Sequence, residues 1–182
     1  MQDTAFASLL EQPAALDRCI AQVGFEGGVA APQYDRYAAD IAAKIMPARD
    51  SRYQSILGEQ TQVSHSGFVQ TGCDIQVGDL LVWKVSEAYL TEDVQAGATQ
   101  VPVHDAALFE VGQLVEIGVG ATREQATIAE VSEGALILAA ELQHDHAEQE
   151  AAVLVRRFEI LYVRSWPGID HHLELALNEI TI

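Results

Sequence analysis

Histidine clusters are the first candidates for chemistry in this chain of 182 residues. His144-Asp145-His146 and His171-His172 hold four of its six histidines. On a strand, His144 and His146 would share a face, as two ligands of one metal require, but a metal site needs three or four converging groups. An acidic turn also holds solvated polar side chains without any metal. We favour that second interpretation, and no metal-binding residue is predicted.

Nucleophilic and nucleotide-binding motifs are incomplete. Ser64-His65-Ser66-Gly67 lacks the Gly-x-Ser-x-Gly elbow of serine hydrolases, and His65 is interpreted as a half-buried side chain whose polar atoms are satisfied. The glycine runs 24–28 and 118–120 lack the Lys-Ser/Thr of a P-loop and the βαβ context of a dinucleotide site. The sequence therefore predicts a protein that is not an enzyme, has no catalytic residue and binds no cofactor.

The charge of the chain excludes several kinds of partner. It has 27 acidic and 10 basic residues, a net charge of −17, so a basic surface for nucleic acid or for an anionic membrane is not expected. Hydrophobic residues make up 49% of the chain, enough for a folded core. Cys19 and Cys73 have no close zinc-ligand neighbours, and no apolar run reaches the length of a membrane span. We expect a soluble protein made in the cytoplasm.

The elements that must position any site are mostly strands. Residues 1–34 are rich in Ala and Gly and are expected to be irregular or helical. The run 35–46 is compatible with a helix, from its residue types, or with a strand, from the alternation of Ile41, Ala43 and Ile45. Residues 51–59 predict about two helical turns. Alternating or apolar runs then predict strands at 63–70, 80–83, 157–163 and 172–182.

The segment 84–155 differs from the rest of the chain in its recurring turn glycines and in its net charge. Glycines recur between five predicted short strands, at 100–103, 114–117, 125–131, 135–138 and 151–155. It carries 13 acidic and 2 basic residues, a net charge of −11, against −6 for the remainder. We therefore predict an acidic all-β domain at 84–155, inserted in a turn of a discontinuous domain formed by 1–83 and 156–182.

With the insert removed, an ordered set of short motifs remains. In chain order they are Ile41-Ala42-Ala43-Lys44-Ile45-Met46-Pro47, Glu59-x-x-x-Val63-x-His65, Ile75-x-x-Gly78-Asp79, Phe158-Glu159-Ile160-x-x-Val163, Pro167-Gly168 and His172-x-Glu174-Leu175. This set resembles the phage head–tail joining family, whose members are also called head-closure or stopper proteins. The insert is similar to β modules that recur in phage structural proteins.

The resemblance implies a fold and a location in the virion. The expected fold is mainly β: a small β-barrel with a short helix, interrupted by the small all-β insert. The expected protein is a subunit of a ring, a hexamer by family resemblance, in the neck of a tailed phage virion or gene-transfer particle. That ring would lie below the portal and adaptor rings and above tail-terminator or tail-tube proteins. It would retain packaged DNA and let it pass without sequence-specific binding, with no membrane partner.

Two alternatives stay open at this point. One is another ring of the same neck, an adaptor or a tail terminator. The other, from a different class, is a carbohydrate- or surface-binding protein that binds through the insert.

Candidate site residues follow from the neck hypothesis. The channel gate or ring contact is assigned to one of two loops, 49–60 or 67–77. The loop candidates are Arg49, Arg52, Tyr53, Gln54, Gly67, Phe68 and Gln70. The interface candidates are Trp83, Arg156, Arg157 and Trp166.

Overall fold

The computed structural model of the chain describes residues 10–22, 32–48, 53–58, 61–166 and 169–180. This part is mainly β, as predicted. Its strands are β1 (Gln12–Gln22), β2 (Pro32–Pro47), β3 (His65–Gln70), β4 (Leu80–Tyr89), β5 (Gln100–Pro102), β6 (Leu114–Ile117), β7 (Glu124–Ser132), β8 (Ala135–Leu138), β9 (Ala151–Trp166) and β10 (Ile169–Ile180). Within these described ranges, helical structure is confined to α1 (Gln54–Leu57) and the 3₁₀ turns Ala106–Leu108 and Gly120–Thr122. None of these helices has the length to cross a membrane.

The chain divides into two compact units. The first comprises the residues up to Trp83 together with those from Arg157, and the second is Lys84–Arg156. The sequence placed the insert at 84–155, one residue shorter at its end. We call the first unit the barrel and the second the insert.

The barrel is a closed ring of six strands. Their order is β10-β3-β2-β1-β4-β9, and β9 pairs back onto β10. Closure leaves no strand of the ring as an open edge along its paired length. Leu16, Leu81, Phe158, Leu175 and Leu177 fill the interior and are fully buried.

The alternation in β2 decides the choice between helix and strand that the sequence left open. Ile41, Ala43 and Ile45 are buried in the barrel core, whereas Ala42 and Lys44 between them are only partly covered. A period of two residues places alternate side chains on opposite faces of a strand. The 35–46 run is therefore a strand throughout.

The N-terminal prediction was wrong for residues 12–22, which form β1, and for residues 32–34, which begin β2, because neither stretch is irregular or helical. Ala14, Leu16 and Asp17 pair with β2 on one side and with β4 on the other, and Ala15 between them pairs with β4. All four are buried, so they show no alternation of apolar and polar residues. Burial between two strands outweighs the helix preference of alanine, because propensity is a weak term beside packing.

The helix predicted at 51–59 is shorter than expected. α1 is one turn, Gln54–Leu57, in which the Ile56 and Leu57 N–H groups donate to the Tyr53 carbonyl. Gly58 follows with φ +88°, a left-handed conformation that glycine adopts at little cost and that ends a helix.

The insert is a small all-β unit with its own core. β7 pairs with β6 and β8, β8 pairs with β5, and β6 pairs with the first residues of β9. The predicted short strands 100–103, 114–117, 125–131 and 135–138 correspond to β5 to β8. The fifth, 151–155, is not a separate strand, because it is the first part of the long β9 that also contains the strand predicted at 157–163. The largest fully buried side chains of its core are Leu90, Ile117, Ile128, Leu136 and Leu142.

A matched pair of substitutions on β1 tests whether this strand is part of the barrel wall. Leu16→Ala should lower the unfolding free energy of the barrel by about 2–5 kcal/mol, because it opens a cavity at a fully buried site. Ile20→Ala on the same strand, where the side chain is 64% exposed, should change it by less than about 0.5–1 kcal/mol. Urea unfolding followed by tryptophan fluorescence measures both, and equal effects would contradict the placement of β1.

Candidate functional site

The segment 53–58 is attached to the outer face of β10 by a buried hydrogen bond. The Tyr53 hydroxyl donates to Glu174 Oε1 at 3.0 Å. Both side chains are at least 95% buried. A second bond closes the segment on its other side, where Thr61 Oγ1 donates to the Leu57 carbonyl at 2.9 Å. The segment is therefore anchored in the middle of the predicted 49–60 loop.

Strand geometry explains why a carboxylate is buried at this place. Leu175 and Leu177 point into the barrel core. Glu174 immediately precedes Leu175 on β10 and therefore points to the outer face, because successive side chains of a strand alternate between faces. Its Cα partners across the sheet are Arg164 on β9 and Phe68 on β3. Tyr53 covers this outward-facing carboxylate and shields it from water.

The seven loop candidates fall into three groups: two lie outside the described residues, two lie at α1, and three lie in β3. Arg49 and Arg52 lie outside the described residues. Tyr53 is the buried anchor, and Gln54 is the first residue of α1.

Gly67, Phe68 and Gln70 were predicted as loop residues, and this was wrong because they belong to β3, in the barrel wall. The turn begins only at Thr71. Gly67 faces the core, where an added Cβ would lie 2.9 Å from Leu177 Cδ1. Phe68 is on the outer face, edge-on to the His172 ring at a centroid distance of 5.6 Å.

The interface candidates lie on β4 and β9. Trp83 is half-buried and packs against the barrel core. Arg156 and Arg157 are half-buried in β9, and the Arg157 guanidinium lies 6.0 Å from the centre of the Tyr34 ring. Trp166 is the last residue of β9, and its side chain is outside the described part.

A network of ion pairs around β1 was missed by the sequence reasoning. Arg36 on β2 pairs with buried Asp17, and Arg18 pairs with Asp74 and with buried Asp79. Asp79 also accepts the Gln76 N–H at 2.9 Å, which fixes the Gly-Asp turn before β4. The hydrogen bond to Asp79 is the main reason that the pKa of Arg18 lies above its ordinary value.

The same network orders an exposed apolar surface. The Arg18 guanidinium stacks on the Tyr37 ring at 4.0 Å from its centre. Tyr37 and Ile20 are each the extra residue of a bulge in the β1–β2 pairing, and bulges turn side chains outward. Val77 follows Gln76 in the turn that Asp79 holds and is also exposed. Met46 and Ile56 are further exposed large apolar side chains among the described residues of the barrel. We call Ile20, Tyr37 and Val77 the outer apolar patch.

An open depression of about 480 Å³ lies near the start of β1. It is lined by residues 10–14 and 40–42 and by Gln70. Gln70 is the one loop candidate that borders it. Within the described residues no group of three or more His, Cys, Asp or Glu side chains has the arrangement of a metal site.

The histidines differ from the solvated turn that the sequence suggested. His144 is exposed, but His146 is only 2% exposed, with its ring between two carboxylates. His65 is half-buried, with Nδ1 3.0 Å from Ser64 Oγ and its ring edge-on to Phe158.

No protein-family model matches the sequence, and a search of curated proteins finds no relative.

Removing the Tyr53 hydroxyl tests the anchor. Tyr53→Phe should lower the unfolding free energy by about 1.5–3 kcal/mol, because it removes a buried hydrogen bond to a carboxylate, and should speed proteolysis within 53–58. The same change at Tyr89, which is 46% exposed, should cost less than about 0.5 kcal/mol. Urea unfolding and limited proteolysis followed by mass spectrometry provide the readouts. Equal behaviour of the two variants would contradict an anchoring role.

Proposed function

We propose that this protein is a structural ring subunit of the neck of a tailed phage or related gene-transfer particle, joining the DNA-filled head to the tail. The observation that carries the proposal is the closed six-stranded barrel with a short segment, between its second and third strands, anchored on its outer face. A neck ring needs both parts: a rigid wall that repeats around the channel and a segment that can close it.

The barrel supplies the rigid wall. In a closed ring each strand pairs with a neighbour on both sides, so no strand edge is left open to pair with another chain. The leucine and phenylalanine side chains of the interior are fully buried. Identical subunits then assemble through side chains on the outer surface. A head-to-tail contact repeated around a closing rotation gives a ring.

The outer apolar patch is the contact surface that we propose for this assembly. Its aromatic member, Tyr37, is held in place by the Arg18 guanidinium, which pairs with Asp74 and Asp79. In a chain of net charge −17, copies repel one another over most of their surface. An apolar patch whose acidic neighbours are partly neutralised by an arginine is where they can approach.

The segment 49–60 supplies the gate in this proposal. Tyr53 and Glu174 would hold it against the barrel in one state, and breaking that bond would release it in the other. The bond is buried, and one hydrogen bond of this kind has the modest net strength that a reversible latch needs. The net charge of −6 on the residues outside 84–155 is compatible with DNA that passes through without being gripped.

Ring formation is the first test. The purified full chain, at high concentration or in assembled particles, should form closed rings in electron micrographs and sediment as a defined oligomer. Tyr37→Glu should disrupt the rings, because it places a charge in the contact. Tyr89→Glu, at a tyrosine of similar exposure in the insert, should leave them intact. Strictly monomeric behaviour in both settings would refute the proposal, and glycan binding by the full chain would favour the surface-binding alternative.

Deleting residues 49–60 tests the gate separately. Particles assembled with the deleted chain should lose packaged DNA, which a nuclease-protection assay measures. Full retention of DNA would remove this segment as the gate while leaving the ring proposal intact.

A further inference from the structure

His146 has a carboxylate oxygen at each of its ring nitrogens. Nδ1 lies 2.8 Å from Glu150 Oε2, and Nε2 lies 2.9 Å from Glu124 Oε1. The imidazole side chain is fully buried, so water does not compete for either nitrogen. Both distances are those of strong, charge-assisted hydrogen bonds.

This geometry determines the number of protons on the ring. An ionised carboxylate only accepts hydrogen bonds, and a neutral imidazole has one donor and one acceptor nitrogen. Two carboxylates therefore require an imidazolium, which donates from both nitrogens. A neutral ring would leave a lone pair facing a carboxylate in a buried place, which is unfavourable.

Glu124 is held in its ionised form by several donors. Burial alone would raise the pKa of this carboxyl, but the N–H groups of Gln143 and His144 and the His146 ring outweigh burial and lower it. Glu124 therefore stays charged at neutral pH and needs a donor from His146. Glu150 presents the second carboxylate from the turn before β9.

Backbone also lies close to the ring. Gly118, with φ +79°, packs so closely that an added Cβ would lie 2.7 Å from His146 Cε1 and 2.8 Å from the Thr122 carbonyl oxygen. The His146 backbone exchanges two hydrogen bonds with Val94, each of 2.8 Å. Among the described residues, Glu124 and Glu150 are the charged groups that contact the ring.

We propose that His146 is a proton-dependent clasp: its imidazolium holds the loops around residues 118–124 and 142–150 of the insert together, and loss of one proton opens them. The clasp is independent of the neck function proposed above, because it concerns only the insert.

The sign of the pH dependence follows from the two kinds of group. The proton on His146 stabilises the folded insert, so this contribution is present at lower pH and is lost as the pH rises and the ring becomes neutral. The lowered pKa of Glu124 acts in the opposite direction: its contribution is present above the ordinary value of 4.5 and is lost as the pH falls below it. The clasp is therefore tightest in mildly acidic solution.

Nitrogen NMR of the full chain tests the protonation state directly. At neutral pH, both ring nitrogens of His146 should carry a proton. A His146 ring with one unprotonated nitrogen at neutral pH would overturn the proposal.

Hydrogen exchange then tests whether the proton holds the loops. The protection factors of the Val94 and His146 amides should fall at least about tenfold between about pH 6 and about pH 9. Glu150→Gln, which keeps an acceptor oxygen but removes a charge, should weaken the protection at the lower pH and flatten the dependence. His144→Gln should leave it unchanged. Equal protection at both pH values in the unmodified chain, or an equal effect of His144→Gln, would refute the clasp.

Discussion

The barrel depends on a short stretch of β1 in which Ala14, Leu16 and Asp17 are paired on both sides. Ala14 to Asp17 lie between β2 and β4, and this double pairing completes the circuit that β9 and β10 close. A buried aspartate in such a strand is unfavourable unless its charge is compensated. Arg36 provides that compensation for Asp17. The chemistry of one ion pair and the closure of a six-stranded ring are therefore linked.

The strands that a sequence can predict are those with one covered face. β10 alternates Leu173, Leu175 and Leu177 with polar or small residues, and its position was predicted to within a few residues. β1 gave no such signal, because its paired residues are buried on both faces and include two alanines and an aspartate. A buried aspartate looks like a surface residue until its arginine is known, and that arginine lies 19 positions further along the chain.

The contacts of the candidate sites were less predictable than the fold. Tyr53 was singled out from the loop in which it lies, but its partner Glu174 is 121 residues away and is one acid among 27. His146 was noticed for its neighbour His144, and the resemblance of the two in sequence was misleading. Only the fold shows that one is exposed and the other is enclosed by carboxylates from positions 124 and 150.

Gln12 has a consequence for how the chain avoids misfolding. Its side-chain amide accepts from the Ile45 N–H and donates to the Ile45 carbonyl, 33 residues away. The side chain therefore makes the pair of hydrogen bonds that a backbone residue of a neighbouring strand would make. A hairpin shifted by one residue would bring Pro13 to this place, without an amide, and would turn Leu16 away from the core. The glutamine therefore favours the native register of the β1–β2 pairing, because a shifted register loses its two hydrogen bonds.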